Sequence, residues 1–190
     1  LAAAKTVQVP TMSQKLTCRY ASLPAMEILE LPYVAGGMSL IVLLPKEVEG
    51  VRKLEGELSQ DNLKRWGGEL REREGLVFLP RFKTTCMFGL NDTLESMGMA
   101  DAFSPQANFM GMTGKTDLYI SAVIHKAFVD VNEEGTEAAA ATAVVTAEKS
   151  VPARPPTFRA DHPFVFLIRE KRTGSVLFLG RLCDPTKTGE

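Results

Sequence analysis

Residues 130–149 (DVNEEGTEAAAATAVVTAEK) constrain the fold more than any other stretch, because after Val131 they bring no bulky apolar side chain until Val144. Four consecutive alanines carry the strongest helix propensity, so propensity alone makes 133–149 a helix. Taken as a strand, the same residues separate into two faces. Thr136, Ala138, Ala140, Thr142 and Val144 form a small, uncharged face, with Glu137, Ala139, Ala141 and Ala143 opposite. A face that small can enter between two existing strands without overpacking the layer beneath. Propensity favours the helix, since alanines are weak strand formers, and the residue types leave the strand open.

The rest of the chain limits the function classes. With 190 residues, 45% of them hydrophobic, one domain with one core is expected. A net charge of −1 with both signs mixed predicts neither a nucleic-acid nor a membrane partner. No apolar run approaches the roughly 18 residues needed to span a bilayer, and the opening LAAAKTVQVP lacks the charged-then-apolar order of a signal peptide. Cys18, Cys86 and Cys183 are odd in number and far apart, which predicts free thiols rather than a disulfide framework or a metal cluster. No phosphate loop, nucleophile elbow or metal-ligand spacing occurs, so neither an enzyme nor a metal or other cofactor is expected. Of the two histidines, His125 lies among apolar strand residues and is read as a hydrogen-bonded core histidine. His162, in a turn before a strand, is read as structural. Glu133 and Glu134, adjacent in a strand, point to opposite faces and cannot act as a matched acid/base pair.

In chain order, residues 16–21, 26–33 and 38–44 predict strands, the last two forming a hairpin through Gly36-Gly37 that is buried on both faces. Residues 51–58 and 59–70 carry Leu54, Leu58, Leu63, Trp66 and Leu70 at helical intervals, with Ser59 as N-cap and Trp66 as a lid over the core. Residues 76–87 predict two strands separated by Pro80, the mark of an edge or a change of sheet. A short helix over 91–97 with an Asn91 cap and a Gly98 stop follows, then an irregular link over 100–116, and 118–131 is the longest predicted strand. After the proline-rich 150–156, residues 164–168 and 176–179 predict two strands joined by a tight turn at Thr173-Gly174.

Three runs resemble the serpin family of serine protease inhibitors. Residues 131–142 (VNEEGTEAAAAT) look like its hinge, 158–164 (FRADHPF) like the signature after its reactive loop, and 177–181 (LFLGR) with Pro185 like its C-terminal strand. LELPY at 29–33, LLP at 43–45, LPRF at 79–82 and HKA at 125–127 match in the same order. The resemblance implies an α+β serpin fold, C-terminal portion only. That means mostly antiparallel β, with parts of sheets A, B and C, a few short helices and an exposed reactive loop at about 134–152. Residues 1–190 would be the C-terminal half of one domain, its helical N-terminal half absent and a possible partner. Two sheet A strands are implied at 81–88 and 118–133, and two buried closing strands at the end.

The same resemblance implies an inhibitor whose loop is cut after Lys149, before Ser150, with Glu148 or Ser150 as the register alternatives. The lysine suits a trypsin-like protease with an acid in its S1 pocket. The hinge residues Glu133, Glu134, Gly135, Thr136, Glu137, Ala138, Ala139, Ala140, Ala141 and Thr142 would then insert into sheet A, with the small face inward and Gly135 allowing the turn. Arg81 and Glu133 match an ion pair where insertion begins, and His125 a histidine at the centre of sheet A. The compartment is expected to be extracellular, with the cytoplasm as the alternative. The competing readings are a non-inhibitory serpin, a ligand carrier or chaperone, and an inactive fragment.

Overall fold

The computed structural model describes residues 6–34, 36–133 and 155–187. The chain divides into two units, one of Leu1–Phe82 with Asp130–Lys187 and one of Lys83–Val129 with Thr188–Glu190.

The first unit is built on a seven-stranded sheet in the order β7-β4-β1-β2-β3-β8-β9. Its strands are β1 (Thr11–Ser22), β2 (Met26–Pro32), β3 (Met38–Pro45), β4 (Arg71–Pro80), β7 (Thr157–Arg159), β8 (Phe164–Glu170) and β9 (Val176–Leu182). All neighbours are antiparallel except β4 and β7, which run parallel. Twelve residues long, β1 pairs Thr11–Tyr20 with β4 and its last four residues with β2. One strand thus joins the β4–β7 pair to the β2–β3–β8–β9 group in a single sheet.

The predicted hairpin forms through Gly36, whose φ of 73° is open to glycine at little cost. Tyr33 N–H donates to Met38 O at 3.0 Å and Gly36 N–H to Tyr33 O at 2.8 Å. The central residues of β2, β3 and β8 are buried on both faces, as their mostly apolar runs predict. On one face, helices α1 (Val51–Gly56) and α2 (Gln60–Glu69) set Val51, Leu54 and Trp66 against Ile28, Ile41, Leu43 and Leu167. Ser59 caps α2 by accepting from Asn62 N–H at 3.2 Å, and Trp66 lies in the core as the lid reading expects. On the other face Phe82 meets Phe166 at 5.2 Å and Phe164, edge to face, at 6.1 Å. The final turn also forms as expected, with Gly174 at φ 76° and its N–H on Glu170 O at 2.9 Å.

Four expectations are corrected. Within β9, Val176, Leu177, Phe178 and Leu179 are exposed rather than buried, because among the described residues β9 is the edge strand and pairs only with β8. The strand expected over 118–131 is limited to β6 (Ile124–Val131), which pairs with β5 (Phe82–Gly89) in a two-stranded sheet. Asn91 does not cap the helix after β5: Leu90 holds that position in front of α3 (Asn91–Leu94). The Asn91 amide instead donates to Ser121 O at 3.1 Å and accepts from Val123 N–H at 2.8 Å, tying residues 121–123 to the start of the helix. A π-turn (Glu95–Met99) continues α3 until Gly98, at φ 103°, breaks the helical path. The link expected to be irregular holds a 3-10 turn (Ala100–Phe103) and α4 (Met110–Thr113). Pro80 does mark a change of sheet, closing β4 one residue before β5 opens.

Candidate functional site

Arg81 occupies the single position between β4 and β5. Pro80 has no N–H to give to the ladder, and Arg81 N–H donates to Pro10 O at 2.9 Å in register with the β1–β4 pairing. With its backbone held there, the guanidinium reaches Glu133, two residues past β6. Nε donates to Glu133 Oε1 at 2.8 Å and Nη2 to the same oxygen at 2.5 Å. Asn132 Nδ2 donates to Asp130 Oδ1 at 3.1 Å and steadies the turn between. Both charged side chains are half exposed. The Arg81 hydrogen bond, helped by the Glu133 N–H and the Arg81 charge, outweighs desolvation and holds the Glu133 carboxyl below its ordinary range. A pair so open to water stabilises little; what it does is hold the exit of β6 to the β4–β5 junction. Beneath it lies a cavity of about 640 Å³, lined by Leu16, Leu31, Tyr33, Val77 and Leu79 with Glu133 at its edge.

Of the residues singled out in the sequence, Arg81 and Glu133 are therefore brought together. His125 is not with them, and it is not a core histidine: it lies exposed on β6, its ring tilted against Phe88 with centroids 5.2 Å apart. Glu134, Gly135, Thr136, Glu137, Ala138, Ala139, Ala140, Ala141, Thr142, Lys149 and Ser150 lie outside the described residues.

The 158–164 run has a structural role in this chain. Phe158, Ala160 and Phe164 are buried, Arg159 stacks its guanidinium 3.7 Å from the Phe78 ring, and Ala160 N–H donates to Phe78 O at 2.9 Å. His162 links two elements, with Nε2 2.5 Å from Pro45 O at the end of β3 and Nδ1 2.9 Å from Asp161 Oδ1.

Sequence reasoning passed over Glu30, which is 2% exposed in the middle of β2. Its Oε1 accepts from Ser39 Oγ at 2.7 Å and Arg169 Nη2 at 2.9 Å, and its Oε2 from Arg19 Nη1 at 2.5 Å. Four adjacent strands thus share one carboxylate. Burial alone would raise its pKa, but the Ser39 and Arg169 bonds and the charges of Arg169 and Arg19 outweigh it and hold the carboxyl below its ordinary range. The available signal was an acid inside the apolar run MEILELPY, since a buried charge needs partners. Among the described residues no group of three or more His, Cys, Asp or Glu is placed to hold a metal ion, and no helix is long and apolar enough to cross a membrane.

The profile of the serpin family, described as serine protease inhibitor, matches residues 1–185. The chain belongs to the serpin family. Human Serpin B3 is 44% identical over 185 residues, covering 95% of this chain and 47% of that protein. Rat leukocyte elastase inhibitor A is 42% identical over 193 residues, covering 95% and 49%. Among solved structures, uncleaved ovalbumin superposes with a TM-score of 0.81 at 36% identity, over 97% of this chain and 46% of that one. The chain spans about half the length of the curated serpins it matches. The α+β serpin architecture read from its motifs is the one observed.

Proposed function

We propose that the complete protein is a suicide inhibitor of a serine protease, and that this chain supplies the moving loop and the strands around it as one half of a single domain. The observation that carries the reading is the composition of 133–142 in a chain of this family: Thr136, Ala138, Ala140 and Thr142 are all small and uncharged, as a strand entering a packed sheet requires. Cleavage would let that segment insert while the acylated protease is still attached, releasing strain held in the uncut state. The Arg81–Glu133 pair supports this reading by holding the exit of β6, where the loop begins. His125 would act at the centre of the sheet that receives the loop.

Cleavage after Lys149 fits a trypsin-like protease, whose S1 acid takes a long cationic side chain. A one-residue slip to Ser150 instead fits the small S1 pocket of an elastase, the target named in the rat relative. Nothing in the names of those relatives places the protein outside the cell, so secretion is not part of this proposal. The complete protein mixed with trypsin is expected to give a complex that survives SDS, with a new N-terminus at Ser150. Cleavage without a stable complex, against both trypsin and elastase, refutes the inhibitor reading.

One observation favours a ligand carrier as a second reading: a cavity of about 450 Å³ between α2 and the β8–β9 hairpin, lined by Ile41, Leu63, Trp66, Leu167 and Leu179 with Arg169 among them. An apolar pocket with a cation suits a lipophilic anion. A carrier would be cut by trypsin without gaining heat stability.

A further inference from the structure

Of the chain's four asparagines, only Asn91 begins the acceptor pattern Asn-x-Ser/Thr for N-linked sugar, as Asn91-Asp92-Thr93. In the fold its amide is already engaged at both atoms. Nδ2 donates to Ser121 O at 3.1 Å, and Oδ1 accepts from Val123 N–H at 2.8 Å. The partners fix which atom is which, because a backbone carbonyl can only accept and a backbone N–H only donate. Beside them Leu90 N–H donates to Val123 O at 2.8 Å. These hydrogen bonds join residues 90–91 to 121–123 within the second unit, and the Asn91 side chain that a sugar would occupy makes two of them.

We propose that Asn91 is an N-glycosylation acceptor in the extended chain, and that a sugar on it and the tie to 121–123 exclude each other. The fold described above is then that of the protein with Asn91 unmodified. The donor in such a transfer is an oligosaccharide on a lipid diphosphate. A bond forms from sugar C1 to Nδ2 as the C1–O bond to the diphosphate breaks; the diphosphate leaves with the electron pair and one Nδ2 proton goes to base. What remains is a secondary amide with a single hydrogen. Such an amide is planar and strongly prefers its two carbon substituents trans, so the sugar carbon lies cis to Oδ1 and the surviving hydrogen points away from it. Ser121 O and Val123 N–H are two residues apart and meet the Asn91 amide along one edge, so the hydrogen given to Ser121 O is the one cis to Oδ1. The sugar takes that position. Transfer therefore removes the donor to Ser121 and sets a bulky group between residues 91 and 121. In the opposite order, a formed tie turns Nδ2 onto the 121–123 backbone and closes it to transfer.

The test makes the complete protein in eukaryotic cells by two routes, in the cytoplasm and through the secretory pathway behind an added signal sequence. The secretory product should carry a sugar at Asn91, read as a mass that peptide N-glycosidase releases and that is missing in Thr93→Ala, which breaks the acceptor pattern at an exposed residue. In the modified protein the Val123 amide should exchange its hydrogen about tenfold faster than in the cytoplasmic product. Cytoplasmic Asn91→Ala, which lacks both side-chain bonds and carries no sugar, should show the same rise. Thr93→Ala from the secretory route should exchange as slowly as the cytoplasmic parent. An Asn91 without sugar on the secretory route overturns the acceptor assignment. A modified protein whose Val123 amide stays as protected as the parent's overturns the exclusion, and so does an unchanged Asn91→Ala. Should Asn91→Ala fold poorly, the secretory parent against secretory Thr93→Ala decides alone.

Discussion

Glu30 shows how one residue can carry a larger share of the stability than any surface pair. Removing its carboxylate leaves Arg169, whose Nε is already buried without a partner among the described residues, and strips Ser39 Oγ of its acceptor. Glu30→Ala is therefore expected to cost about 3 kcal/mol in urea unfolding, at the low end for a broken buried pair because Arg19 is partly exposed. Glu30→Gln keeps hydrogen-bonding atoms in place but not the charge, and should cost about 1–2 kcal/mol. The folded-state pKa of Glu30 lies below its unfolded value. Its contribution is thus fully present above the unfolded carboxylate pKa and is lost as pH falls through the lowered one. Parent and Glu30→Gln should converge in stability on acidification; a gap that stays constant with pH would show that the charge is not what stabilises. The acid in MEILELPY was visible in the sequence, but its partners come from residues 9, 11 and 139 positions away along the chain, which no local pattern supplies.

At the scale of the element, β8 and β9 meet through a position that has room for no side chain. Gly180 pairs with Phe166, and a Cβ on Gly180 would come within 2.5 Å of the Phe166 ring. The ring is itself packed against Phe82, so it has little freedom to retreat. Gly180→Val should destabilise the chain by about 1–3 kcal/mol in thermal or urea unfolding. A Gly180→Val, Phe166→Leu double variant should recover part of that loss, and the absence of recovery would place the clash elsewhere. The apolar runs of β2, β3 and β8 were legible because a strand buried on both faces cannot alternate. The start of β6 was not: 118–123 is also rich in strand-forming residues, and the difference from 124–131 lies in what pairs with them. Where pairing exists, β6 forms; where the Asn91 amide takes up backbone groups of 121–123 instead, the strand has not yet begun.

The whole molecule is where the inhibitor proposal is decided. In the complete protein, Thr136→Arg would place a charged guanidinium on the face that must enter the sheet, where an unpaired charge is costly. That variant should be cut by the protease at the same bond yet form little SDS-stable complex, a shift from inhibitor to substrate read by stoichiometry. Loop cleavage of the parent should raise its Tm, and cleavage of Thr136→Arg should not. Equal complex formation by both proteins would mean that 133–142 does not move. By itself, the sequence determined what local chemistry controls: the doubly buried strands, the Ser59 cap, the change of sheet at Pro80, the turn at Gly174, and a hinge whose small face admits either a helix or a strand. The tertiary structure decided what depends on neighbours. It ran β1 across two strand groups, left β9 and His125 exposed, buried Glu30 among its three partners, and brought Arg81 to Glu133 across 52 residues. Periodicity and capping act within a turn or two of chain, whereas burial and charge pairing follow from which strands become neighbours, a choice that closes long loops and that no single segment encodes.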